Sequence, residues 1–161
     1  MLRLADIEAA SVRALLSRHG LELVLVAEGE PIPGSYWGEC EAGLIGSQVF
    51  ARSDTPVHSL LHEACHLMVM PAERRAQVHT DATDSIAEED AACYLQIMLA
   101  DQLLGVGQAR LMQDMDAWGY SFRLGSTRAW FEQDAVETRA WLMQRGLLPP
   151  HAPEASGADT R

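Results

Sequence analysis

A chain of 161 residues with 12 basic and 23 acidic side chains carries a net charge of −11, which repels phosphate backbones and argues against direct DNA or RNA binding. No apolar run approaches the length needed to span a bilayer, and residues 1–6 open an amphipathic pattern rather than a signal peptide, so no membrane association is expected. With 48% hydrophobic residues the chain can build a real core, and residues 1–148 are read as one domain followed by a flexible tail at 149–161.

Residues 4–18 read as a helix closed by Gly20, and residues 21–27, which run apolar or alternate, read as a strand. Pro31, Pro33 and Gly34 make a turn, after which residues 36–40 and 43–50 are further candidate strands. Ser53, Asp54 and Thr55 supply capping side chains, and Pro56 is tolerated in a first helical turn. Val57, Leu60, Leu61, Ala64 and Met68 then recur at helical spacing, and Pro71 marks the end. A second long helix starts at Ser85 and runs until Gly105 and Gly107 break it. Residues 108–118 form another helix ending at Gly119, and Ser126 caps a last one through Trp130, Phe131 and Trp141 to Gly146. The fold class is α+β, mostly helical with a small N-terminal sheet. Cys40, Cys65 and Cys93 are odd in number and lack metal-type spacing; Cys65 and Cys93 sit in helices as small core hydrophobes. Nothing asks for disulfides, so a reducing cytoplasm is the expected setting.

The first long helix holds His62-Glu63-Ala64-Cys65-His66, an H-E-x-x-H sequence. Positions four apart are neighbours on a helix, so both imidazoles project from one face and can grip one metal ion. Zinc takes nitrogen ligands in this arrangement, and the adjacent Glu63 is placed to act as general base. The histidines and Glu63 lie on a different arc from the apolar stripe, so one side of the helix enters the core and the other faces a polar cleft. His58, one turn earlier, is read as a cleft-rim or surface histidine.

A catalytic zinc keeps three protein ligands and one open position. The third is sought at the start of the second helix, where Glu88, Glu89 and Asp90 stand in a row and helical phase must choose. Glu88 shares a stripe with Ala91, Ala92, Leu95 and Leu99, where a carboxylate is costly to bury unless paired or metal-bound. Glu89 lies over Gln96 and Ala100, and Asp90 over Ile97 and Asp101. Against Glu88 stands a plainer role, because Ser85 and Glu88 fit the S-x-x-E capping box. Glu88 is the expected ligand, with Glu89, Asp90 and His79 as alternatives.

His62–His66 followed by a glutamate resembles the gluzincin metallopeptidases, whose second helix supplies the third zinc ligand in a motif such as E-x-x-A; Glu88 to Ala91 fits it. The chain looks most like the small ImmA/IrrE-type domain peptidases, which also place an aromatic where Tyr94 stands. The resemblance covers about residues 44–100 and implies a zincin-like fold, Zn2+ held by His62, His66 and Glu88, and a peptide or protein substrate of restricted range. It also implies that residues 43–50 border the cleft and pair with extended substrate; an ordinary core strand is the alternative. Ala92 departs from the Asn or Asp that often supports a zinc-binding histidine, so that support has to come from elsewhere. Candidate oxyanion donors are His79, Tyr94 and Tyr120. The other class of function compatible with these residues is a non-catalytic metal-binding or protein-interaction module on the same scaffold, for which Glu63 would not be needed.

Overall fold

The computed structural model describes residues 1–35, 40–83 and 85–149. It is a mixed α and β structure built around one continuous cluster of buried side chains that runs from Leu4 to Leu148. 

The first helix, α1 (Ala9–Arg18), buries Val12, Leu15 and Leu16, and the chain leaves it through Gly20 in the left-handed region at φ 76°. Residues 4–6 do not join it but form a separate 3-10 turn. Asp6 accepts a hydrogen bond from the Arg3 backbone N–H at 2.9 Å, and the N–H groups of Leu4 and Ala5 go to the carbonyls of Thr55 and Ser53. Those bonds tie the N-terminus to the segment preceding the second helix instead of to its own next turn.

Three strands follow: β1 (Glu22–Val26), β2 (Gly43–Ile45) and β3 (Gln48–Arg52). β3 is central, parallel to β1 and antiparallel to β2. The expected strand over 43–50 is thus two strands joined by a turn at Gly46 and Ser47. Val49 and Ala51 alternate inward along β3, as period-two patterning requires. Gly34 and Gly43 sit where two backbones cross; a Cβ on either would collide with main-chain atoms of Leu44 or Pro33. Of the strand expected at 36–40, residues 36–39 lie outside the described residues, as do residues 150–161 of the expected tail.

The helix α2 (Val57–Val69) crosses the sheet against β2 and β3. Pro56 is its N-cap rather than its first residue, and no side chain caps it. The expected capping groups are used locally: Thr55 Oγ1 accepts from the Arg52 N–H, while the Val57 N–H is satisfied by the Leu2 carbonyl at 3.0 Å. After the short α3 (Ala72–Arg75), α4 (Ile86–Ala100) packs along α2, the most extensive helix pair in the fold. α5 (Gln108–Trp118) ends at Gly119, φ 115°. The last expected helix divides into α6 (Thr127–Gln133) and α7 (Val136–Gln144). Trp130 and Leu142, both buried, would lie about 120° out of phase on one straight helix, and the break at Asp134 lets each face the core. No helix among the described residues is long and apolar enough to cross a membrane.

Leu61 on α2 is fully buried in the core, so Leu61→Ala should cost about 2–5 kcal/mol in urea unfolding, by lost transfer energy plus a cavity. Leu104, 83% exposed, is the control, and Leu104→Ala should stay within about 0.5 kcal/mol of the parent.

Candidate metal centre

Four residues apart on α2, the His62 and His66 rings stand edge to face with their Nε2 atoms 3.1 Å apart. The carboxylate that meets them belongs to Glu89. Its Oε1 lies 2.9 Å from His66 Nε2 and its Oε2 lies 3.1 Å from His62 Nε2. One nitrogen of each histidine and one Glu89 oxygen all fall within 4.8 Å of one another, the only such group of three metal-ligating side chains among the described residues.

Glu88, expected in this place, is turned elsewhere. It occupies the first turn of α4, where its backbone N–H is capped by Ser85 Oγ at 3.2 Å, and its carboxylate takes two bonds from Arg74 at 2.8 and 3.3 Å. The capping role and a nearby guanidinium answer the burial cost that had argued for a metal. Desolvation raises the Glu88 pKa, but the Arg74 bonds outweigh it and leave the group below the ordinary carboxylate range. Asp90 does not enter the group, and His79 is exposed and bonded to Thr80.

The supporting bond that Ala92 cannot make comes from one turn further along α4. Gln96 Oε1 lies 2.7 Å from His62 Nδ1, and Gln96 Nε2 donates to the His58 carbonyl at 3.2 Å. Gln96 is completely buried. An amide oxygen can only accept, so His62 Nδ1 carries a proton and its Nε2 is aimed at Glu89. His66 Nδ1, by contrast, is buried with no hydrogen-bond partner. Gln96 was absent from the sequence-level candidates; the available signal was its i+7 spacing from Glu89, which puts both on one face of α4.

Burial works against charge at Glu89, yet bonds from His62 and His66 hold its carboxyl far below the usual range. His62 moves the opposite way, its pKa raised despite burial because Tyr120, Cys93 and Glu89 favour the cation. Two imidazoles and an ionised carboxylate converging from two rigid helices form a donor set suited to a divalent cation, which would take the place of the shared proton. Glu63, beside them, is pushed up by desolvation, partly offset by His62 and His66. Glu41, also unforeseen, shares the cleft; burial and then the charge of Glu63 raise it.

These groups line a cleft of about 990 Å³ that also takes in Ser59, Asp81 and Trp118. Thr80 on its wall holds φ at 72°, uncommon for a β-branched residue, and its N–H is bonded to the Leu44 carbonyl at 2.9 Å. That bond and one from Gly46 N–H to the Val78 carbonyl, 2.9 Å, lay residues 78–80 along β2. The Leu44 N–H goes to Gly34. The edge expected to receive extended substrate is therefore occupied by the chain itself.

His58 lines the cleft, but it is buried in its wall and not a surface histidine. It is 1% exposed, with Nδ1 3.1 Å from the Tyr120 hydroxyl and its ring against Trp118. Tyr120 stands edge-on to the His62 ring at 5.6 Å between centroids and lines the cleft. Tyr94 packs against Trp130 and Phe131 in the core, away from the cleft. Cys93 is buried as expected, but its thiol also borders the cluster, 4.0 Å from Glu89 Oε2.

Comparison of the chain with protein-family models, with curated proteins and with solved structures finds no match.

Desolvation lowers the His58 pKa from 6.5 to about 4, with His62 adding to the shift. On acidification the unfolded chain takes up this proton near pH 6.5, whereas the folded chain resists it until about pH 4. Stability should therefore fall as pH drops through that window, by about 3 kcal/mol at its lower end from this group alone. Urea unfolding of the parent and of His58→Phe from pH 7.5 to 4.5 checks it, and parallel pH curves for the two proteins would contradict it.

Proposed function

We propose that this chain is a zinc-dependent metallopeptidase with a zincin-like arrangement, acting in the cytoplasm on a peptide or protein substrate of restricted range. The observation that carries the reading is the convergence of His62, His66 and Glu89 in a cleft that also presents Glu63, a carboxylate the three-ligand group does not use. A purely structural metal site has no need of that extra group. The three free cysteines suit a reducing compartment.

Zinc, when bound, supplies Lewis acidity, polarising a carbonyl and making water acidic enough to lose a proton near neutral pH. The remaining work falls to the chain. His62, His66 and Glu89 would hold the ion, with Gln96 fixing the His62 ring. Glu63 takes a proton from the attacking water and passes it to the leaving amine; its raised pKa brings acid and base forms closer in energy, as both halves of that task require. Tyr120 is the best-placed of the three oxyanion candidates, since it alone combines a place in the cleft with contact to a presumed ligand ring.

Two outcomes test this reading. Metal analysis should find about one zinc per chain in the parent and in Glu88→Ala, with zinc lost from His62→Ala, His66→Ala and Glu89→Ala. Undiminished zinc in the histidine variants would remove the site, and loss in Glu88→Ala alone would return the third ligand to that residue. In a peptide-library screen at neutral pH, Glu63→Gln should retain zinc and lose cleavage by about 10²–10⁴-fold or more. Cleavage that persists unchanged in that variant would overturn the assignment.

A further inference from the structure

We propose that His58 is a positioning residue that turns the hydroxyl proton of Tyr120 into the cleft. The chemical use of that proton, a hydrogen bond to an oxyanion, rests on the hydrolase reading above. Its direction is a property of the hydrogen-bond network and can be derived without it.

His58 is buried, and desolvation keeps it neutral at physiological pH, so its ring carries one N–H. Nδ1 meets the Tyr120 hydroxyl at 3.1 Å, while Nε2 is buried with no partner. A proton on Nε2 would strand a donor, and orphaned buried N–H groups are rarer than under-used acceptors. A proton on Nδ1 leaves only a lone pair unused and is donated to the Tyr120 oxygen. Gln96 holds the same histidine from the other side: its Oε1 accepts from His62 Nδ1, and its NH2 donates to the His58 carbonyl.

The Tyr120 oxygen then accepts from His58, so its own O–H turns outward, away from that ring. Outward is the cleft, which Tyr120 lines beside His62. The His62 tautomer that presents Nε2 to a metal sets the Gln96 amide, which holds the His58 carbonyl, and the His58 ring sets the phenol.

Nitrogen-15 NMR of histidine-labelled, metal-free protein reads the first step directly. His58 should be neutral with its proton on Nδ1, the less common tautomer; a proton on Nε2 would overturn the proposal. This measurement needs no zinc, so failure to bind zinc would end the hydrolase reading while leaving the tautomer test intact. Zinc-loaded protein then tests the consequence, with inorganic phosphate as the oxyanion probe and calorimetry as the readout. Tyr120→Phe and His58→Leu should each weaken phosphate about tenfold at unchanged zinc content. His58→Asn, whose amide can offer an N–H in place of Nδ1, should recover most of the affinity. Parent-like phosphate affinity in Tyr120→Phe, or no recovery in His58→Asn, would overturn it.

Discussion

The contact between α2 and α4 holds the candidate site together, and at its centre is one buried amide. Gln96 is completely buried, so its polar atoms need partners within the protein. It finds them on α2, at the His62 ring and the His58 carbonyl. A shift of either helix along the other would break both bonds at once, and the low dielectric makes each broken bond expensive. The amide therefore fixes the register of the two helices as well as the orientation of one imidazole.

That register separates neighbouring carboxylates by their surroundings. Glu89 faces two imidazoles and is held ionised, whereas Glu63, on the same cleft, is driven toward its neutral form by desolvation. Glu88 points to Arg74 and takes no part. Three glutamates of identical chemistry thus acquire a ligand-like, a base-like and a structural character from position alone. Divergent environments for paired acids are the usual physical basis for dividing acid and base work between them.

The cleft wall is built with equal economy of backbone. Residues 78–80 lie along β2 and take up hydrogen-bonding groups that an added strand would use, and Thr80 adopts a left-handed conformation to do it. The cleft face presents side chains such as Glu41, Asp81 and the half-exposed Trp118 in place of main-chain groups.

Local chemistry was legible in the residues themselves. The H-E-x-x-H spacing places two imidazoles on one helical face whatever surrounds them, and Ser85, Ser126, Gly20 and Gly119 mark helix ends through interactions only a few residues long. The parallel pairing of β1 with β3, the covering of β2 and the division of the last helix depend on contacts between distant segments, which periodicity does not encode. The choice of Glu89 over Glu88 is of the same kind. Both sit in one helical turn, and their difference lies in what each meets across space: Arg74 for one, the α2 histidines for the other. Likewise Gln96 is an unremarked polar residue in a helix until α2 is laid against it. Sequence determines which side chains share a face, because helix geometry is local; tertiary structure decides what that face meets, because burial and partnership are not.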